Sequence, residues 1–138
     1  MTDSQMEDVL RAPLNGVLAT IRRDGAPQLS PVWHLYEDGR FYISVGADSV
    51  KARNVRRDKR VSLCVDEGHP DGRAVTVTGS AELIEEDSPW RDDINWRIIL
   101  HYHESEAAAR HYDETKPDWG PSAIMVVTPE TIFDHNDE

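Results

Sequence analysis

The sequence contains little that would cross-link the chain or hold it in a membrane. Cys64 is the single cysteine among 138 residues, which excludes an internal disulfide and a multi-cysteine metal site. The apolar runs, such as residues 124–127, are far shorter than the about 20 residues that a membrane-spanning helix needs. The N-terminus also lacks a basic segment followed by an apolar one. We therefore expect a cytoplasmic protein with no membrane association.

Positive charge is scarce as well. Fifteen Lys and Arg residues stand against 26 Asp and Glu residues, so the formal net charge is −11. A field of that sign repels nucleic acid and anionic lipid, and nucleic acid is therefore not expected as a partner. With 38% hydrophobic and 30% charged residues, the composition is typical of a globular chain, and the length favours one domain over residues 1–138.

Common catalytic signatures are missing too. The sequence has no Gly-x-Ser-x-Gly elbow, phosphate-binding P-loop or Gly-x-Gly-x-x-Gly fingerprint, which disfavours the hydrolase and kinase classes. His101, His103 and His111 raise the possibility of a metal site, but residues two apart on a helix point about 200° apart. We therefore expect no metal, and the sequence identifies no catalytic residue.

The pattern that is present is mainly that of β-strands. Apolar and β-branched residues alternate over 16–22, 28–36, 40–45, 61–65 and 74–85, return over 123–128, and leave a fragment at 132–133. A first helix capped by Thr2 or Asp3, a second after Ser49, and one or two more from Ser88 to about Tyr112 flank them. This order predicts a six-stranded antiparallel β-barrel with flanking helices.

The predicted strand 28–36 has two different faces. Leu29, Pro31, Trp33 and Leu35 form a mostly apolar set, which alternates with a mostly polar set that includes Gln28 and Ser30.

The strongest signal from the residues alone is a cationic segment, residues 51–60, with the sequence KARNVRRDKR. It holds six of the fifteen cations and one acid, so it carries +5 while the other 128 residues carry −16. Ser49 is placed to cap the helix, and Lys51 lies in the first turn, where free backbone N–H groups attract anions. The segment is interpreted as a binding site for a phosphorylated small molecule. A solvated helix face, or charge pairing across a dimer, is the alternative.

The run NGVLATIRRDGAPQLSPVWHLYEDGRFYISVGADSVKARNVRRDKRVSLCVD, residues 15–66, carries a resemblance. It resembles the flavin- and deazaflavin-binding split β-barrel family related to pyridoxamine 5′-phosphate oxidase, and especially the branch that uses the deazaflavin coenzyme F-420. The resemblance implies a homodimer with two cofactor sites at the subunit interface. It also implies roles for particular residues. Lys51 and Asn54 would contact the cofactor phosphate, Ser49 would contact a phosphate or the tail, and Arg53 would point toward an acidic tail. Gln28, Ser30 and Ser44 would lie along the ribityl chain and ring edge, and Pro31, Val32 and Trp33 would lie beside the tricyclic ring.

The function implied by this resemblance is hydride transfer from reduced coenzyme F-420 to an unsaturated small organic acceptor. An FMN-binding reductase and a non-catalytic cofactor-binding protein are the alternatives. The C-terminal FDHNDE lacks the Arg- and Trp-rich segment of the oxidases that act on the vitamin, which disfavours vitamin oxidation. No specificity pocket is predicted from residues 89–121.

Overall fold

The computed structural model describes residues 1–137, and within them the chain forms one antiparallel sheet flanked by helices. The sheet has seven strands in the order β2-β1-β5-β6-β7-β4-β3. The strands are β1 (Gly16–Ile21), β2 (Pro27–Val32), β3 (Leu35–Glu37), β4 (Arg40–Gly46), β5 (Arg60–Asp66), β6 (Ala74–Ile84) and β7 (Ser122–Asp134). The helices are α1 (Asp3–Arg11), α2 (Val50–Arg57), α3 (Pro89–His101) and α4 (Glu106–Thr115), followed by a 3-10 turn at His135–Asp137.

The two edge strands of this sheet, β2 and β3, are consecutive in the chain. Only Trp33 and His34 separate the end of β2 from the start of β3, so the two edges must lie close together in space. The sheet therefore curls into a split barrel. We call the gap between its edge strands β2 and β3 the seam, and Trp33 and His34 connect the two strands across it. Leu18, Phe41 and Leu63 fill the interior and are 0% exposed. The predicted mainly β, barrel-like fold is confirmed.

The seventh strand arises at this seam. The sequence predicts one strand over 28–36, but the structure ends β2 at Val32 and begins β3 at Leu35. Between them His34 is 1% exposed, and its Nε2 donates to the carbonyl of Leu10 at 2.8 Å. A buried side chain bonded to α1 thus replaces the strand pairing that a continuous strand would have made. The predicted fragment at 132–133 is the continuation of β7.

The faces of β2 also differ from what its composition suggests. Ser30 and Val32 are buried, whereas Leu29 is 62% exposed. The register explains this orientation, because Ser30 lies opposite Leu18, which points into the core. The more polar side of β2 therefore faces the interior, and Leu29 and Pro31 lie on the outer surface.

The helices begin where the sequence predicts. The Thr2 hydroxyl accepts from the backbone N–H of Gln5 at 3.1 Å, and the Gln5 side chain accepts from the Thr2 N–H at 2.9 Å, which is a complete capping box. Ser49 caps α2, and Ser88 caps α3. Among the described residues, no helix combines the length and the hydropathy that crossing a bilayer requires.

Candidate functional site

A cleft of about 1120 Å³ lies where the seam, the end of β4 and the start of α2 face α3 and α4. Its walls come from five parts of the chain. These are Pro31, Val32 and Trp33 at the seam, Ser44, Val45 and Gly46 in β4, Asp48, Ser49 and Lys51 around the start of α2, Asn95, Ile98 and Ile99 in α3, and Tyr112, Asp113 and residues 116–122 in and after α4, with Asn15.

The start of α2 provides the cationic end of the cleft. The Ser49 hydroxyl donates to the carbonyl of Gly46 at 2.7 Å and accepts from the Ala52 N–H at 3.3 Å, so its capping role occupies it. Lys51 follows in the first turn. Within residues 1–137 no carboxylate lies within ion-pair distance of its ammonium, and burial lowers the pKa of Lys51 below 10.5. A half-buried cation without a counter-ion, beside free helix amides, favours binding of an anion.

Half of the cationic segment is engaged in holding the fold. The Arg56 guanidinium donates to the Ala47 carbonyl at 2.6 Å and forms an ion pair with Glu85. Arg57 donates to the Ile21 carbonyl at 2.9 Å, and Arg60 pairs with Asp58 at 2.8 Å. The surface available to an external anion is therefore smaller than the net charge of the segment suggests.

Part of the predicted set of site residues lines the cleft, and part lies elsewhere. The residues at the cleft are Pro31, Val32, Trp33, Ser44, Ser49 and Lys51. Gln28, Ser30, Arg53 and Asn54 are outside its walls.

Three of the residues outside the cleft belong to one internal hydrogen-bond network. Asn54 is 4% exposed, and its amide donates to the Thr20 hydroxyl at 3.1 Å. The Thr20 and Ser30 hydroxyls donate in turn to the side-chain oxygen Oε1 of Gln28 at 3.4 and 3.3 Å. This network joins α2 to β1 and β2, so its visible effect is to position the helix that carries Lys51.

The residues of α3, α4 and the segment after α4 were not predicted as site residues. They supply one whole wall of the cleft, including Asn95, Tyr112 and Trp119. Helical periodicity located these helices, but it cannot show which cavity a helix faces. The only available signal was the density of aromatic residues, since Trp33 packs on Tyr102 from the end of α3 and on Tyr112 from α4.

Below Trp33, Tyr102 holds the seam together. Its hydroxyl donates to the Leu14 carbonyl at 2.8 Å and accepts from the His34 backbone N–H at 3.0 Å. Burial raises the pKa of Tyr102 to about 12, and burial also lowers the pKa of His34 below 6.5. Both groups are therefore neutral near pH 7, as a buried hydrogen-bonded seam requires.

The remaining histidines of this region bond to separate backbone groups. His101 donates through Nε2 to the Arg11 carbonyl at 2.7 Å, and His103 donates through Nδ1 to the Ile99 carbonyl at 2.7 Å. His101 therefore ties the end of α3 to the end of α1, whereas His103 bonds back to the last turn of α3 itself.

Comparison with known proteins gives a family match and structural similarities that agree with each other. The family model described as pyridoxamine 5′-phosphate oxidase matches residues 2–136. A conserved hypothetical protein from Mycobacterium tuberculosis, Rv2991, superimposes with a TM-score of 0.78 at 25% identity, covering 97% of this chain and 84% of that one. An F420 reductase superimposes with a TM-score of 0.72 at 25% identity, covering 92% and 94%.

A more distant structure shares the fold alone. The haem storage protein HutZ from Vibrio cholerae superimposes with a TM-score of 0.72 at 15% identity, covering 96% of this chain and 93% of that one. The split barrel is thus common to proteins that are described with different functions, and the fold does not by itself determine the activity. On the match over residues 2–136, this chain belongs to the pyridoxamine 5′-phosphate oxidase family.

Proposed function

We propose that the protein is a cytoplasmic oxidoreductase that binds coenzyme F-420 in the cleft and transfers a hydride from the reduced deazaflavin to an unsaturated small organic acceptor. The observation that carries the proposal is Lys51, a half-buried cation with no counter-ion within residues 1–137, at the end of a cleft that has an aromatic wall. The similarity to an F420 reductase, 25% identical over 92% of this chain, favours a deazaflavin over other ligands.

The residues present fit a cofactor with an anionic arm and a flat ring. Lys51 and the first-turn amides of α2 would hold a phosphate, because both supply donors and positive potential. Trp33 presents a flat wall that is itself held by stacking on Tyr102. When bound, the coenzyme would supply the hydride, and a proton from solvent would complete the reduction of the acceptor.

The other cleft residues orient the reactants and exclude water. Ile98 and Ile99 contribute buried apolar surface to the wall, at 2% and 4% exposure. Ser44, in the second half of β4, also lines the cleft. Such a site brings donor and acceptor together in a partly desolvated space, which is the protein's contribution to hydride transfer.

We also propose that the protein is a homodimer whose cofactor sites lie at the subunit interface. The supporting observation is an uncharged outer face of the barrel, in a chain of which 30% is charged. Two cross-strand rows form this face: Pro31, Val17, Cys64, Thr76 and Phe133 in one, and Leu29, Ala19, Ser62, Thr78 and Thr131 in the other.

The exposure and position of this face favour a second copy as its occupant. Leu29, Phe133 and Val17 are 62%, 50% and 42% exposed, so this face holds three large apolar side chains in contact with water. A partner that fits this face must itself present an uncharged contact surface. A second copy of the chain does so, because a two-fold interface places the same face of each subunit against the other. Because Pro31 belongs both to this face and to the cleft wall, a partner seated there would border the cleft.

The cofactor proposal is tested by titrating the purified protein with coenzyme F-420 and, separately, with FMN, using equilibrium dialysis at low and high salt. We expect tighter binding of coenzyme F-420, weakened by salt because the anionic arm meets exposed cations as well as Lys51. Equal or tighter binding of FMN would favour the FMN-dependent reductase. Binding of reduced coenzyme F-420 without oxidation by any of a panel of enones and quinones would favour a non-catalytic cofactor-binding protein.

A further inference from the structure

Trp119, in the segment that follows α4, is the most exposed of the large hydrophobic residues. It is 66% exposed, compared with 43% for Trp90 and 38% for Leu100. At the same time its side chain is part of the wall of the cleft. An indole that borders a cavity and remains hydrated can gain a large apolar contact when a ligand fills that cavity.

Trp119 also differs from the other three tryptophans in lacking an aromatic or cationic neighbour among the described residues. Trp33 stacks on Tyr102, and Trp90 meets the edge of Tyr42 with the ring centroids 6.1 Å apart. The Arg110 guanidinium lies 5.4 Å from the ring centroid of Trp96. For Trp119, neither a ring contact nor a cation contact is formed with any residue of the described range 1–137. Among the described residues, its indole therefore has no aromatic or cationic neighbour that a ligand would have to displace.

The backbone around Trp119 is nevertheless well held. The Asp118 carboxylate accepts from the Gly120 N–H at 2.9 Å, and Gly120 has a φ of +83°, which favours glycine. The Pro121 carbonyl accepts from the Ala47 N–H at 2.8 Å, which ties the segment to the loop before α2. Trp119 is thus carried by a closed turn, attached next to the helix that provides Lys51. A backbone that is already held in place loses little further entropy when its side chain binds a ligand.

We propose that Trp119 packs against the tricyclic ring of the bound flavin or deazaflavin and covers it from solvent. This inference rests on the proposed function, because it takes the cofactor ring as the occupant of the cleft. The contact follows from chemistry, since an indole and a conjugated tricycle are both flat and polarizable and stack face to face with an offset. Trp119 thereby contributes ring affinity, while Lys51 contributes affinity for the anionic arm.

The first test compares Trp119→Ala, Trp119→Phe and the control Trp90→Ala, each titrated with coenzyme F-420 and with FMN by equilibrium dialysis. Trp119→Ala should weaken binding of the preferred cofactor about five- to fiftyfold, in line with losses on removing an aromatic stacking partner. Trp119→Phe should recover most of the loss, because a flat ring is retained. Trp90→Ala should stay within about twofold of the natural protein, since Trp90 is not in the cleft wall.

The second test measures protection of the indole directly by oxidative footprinting and mass spectrometry, with and without coenzyme F-420. Oxidation of Trp119 should fall on binding, whereas that of Trp90 should not change. If the natural protein binds a cofactor but Trp119→Ala binds it equally and footprinting shows no protection, the inference is wrong while the proposed function stands. If the natural protein binds neither cofactor, both are wrong.

A third measurement separates a ligand contact from a subunit contact. Sedimentation of Trp119→Ala should give the same mass as the natural protein. If the substitution instead converts a dimer to a monomer, Trp119 is covered by a second copy of the chain, and its assignment to the cofactor ring is overturned.

Discussion

The indole of Trp33 and the ring of Tyr102 stack with their centroids 4.8 Å apart and their planes 8° from parallel. Trp33 is part of the cleft wall, and Tyr102 ends α3 while its hydroxyl bonds across the seam. The position of the aromatic wall therefore depends on the closure of the barrel. A substitution that disrupts the seam should therefore change the position of Trp33 in the cleft wall.

The Tyr102 hydroxyl should contribute measurably to stability. Tyr102→Phe leaves the Leu14 carbonyl and the His34 N–H without their shared partner, so we expect the free energy of unfolding to fall by about 1–3 kcal/mol. Urea denaturation measures the change. Tyr112→Phe is the matched control, because within residues 1–137 the Tyr112 hydroxyl makes no hydrogen bond, and it should cost less than about 0.5 kcal/mol. Equal losses in the two variants would contradict a role for Tyr102 in holding the seam.

Burial of His34 should make stability depend on pH. Its folded-state pKa is lowered below 6.5, chiefly by desolvation, so near and below that pH the unfolded chain takes up a proton that the folded chain resists. Stability is then lost as the pH falls from about 7 through 6.5, by at most about 1.4 kcal/mol per pH unit for one group.

Urea denaturation of the natural protein and of His34→Gln at pH 7.5 and pH 5.5 measures this contribution. The variant should be less stable at pH 7.5, and its deficit should shrink at pH 5.5, because glutamine does not titrate. A deficit that is unchanged or larger at pH 5.5 would show that His34 is not neutral in the folded protein.

Lys51 is expected to anchor the anionic arm of the cofactor. Lys51→Ala removes a charge-assisted contact in a partly desolvated site and should weaken cofactor binding by about 1.5–3 kcal/mol, roughly ten- to a hundredfold. Isothermal titration calorimetry gives the change, and thermal unfolding should barely move because Lys51 makes no ion pair within the described residues. Lys59→Ala removes an equal charge beyond the C-terminal end of α2, whose 8 residues span about 12 Å, and should cost far less. Equal losses of cofactor affinity in the two variants would indicate that the segment acts through its overall positive charge and that Lys51 is not the specific contact for the anionic arm.

The uncharged outer face is expected to form the dimer interface. Leu29→Arg places a charge where a two-fold interface would bring it close to its own copy, so sedimentation at micromolar concentration should show a monomer. Leu100→Arg is the control, since Leu100 is 38% exposed on α3, away from that face. A natural protein that sediments as a folded monomer would remove the basis for a shared site.

Local patterns were sufficient to predict most elements of the fold. The Thr2, Ser49 and Ser88 caps, the cationic helix and the alternating strands depend on neighbouring residues, and the structure has them where the sequence indicates. Lys51 could be placed at a helix N-terminus for the same reason. The resemblance over residues 15–66 added the family, which the match over residues 2–136 shows.

Other features were decided by contacts between segments far apart in the chain. Ser30 and Asn54 are both buried: the curl of the sheet turns Ser30 inward, and the packing of α2 beside β1 lets Asn54 bond to Thr20, 34 residues earlier. The interruption between β2 and β3 at His34 depends on the bond from its side chain to a carbonyl of α1. One wall of the cleft likewise depends on the packing of α3 and α4 beside the seam. Periodicity reports that a face is apolar or polar, but only closure of the barrel determines which face is inside.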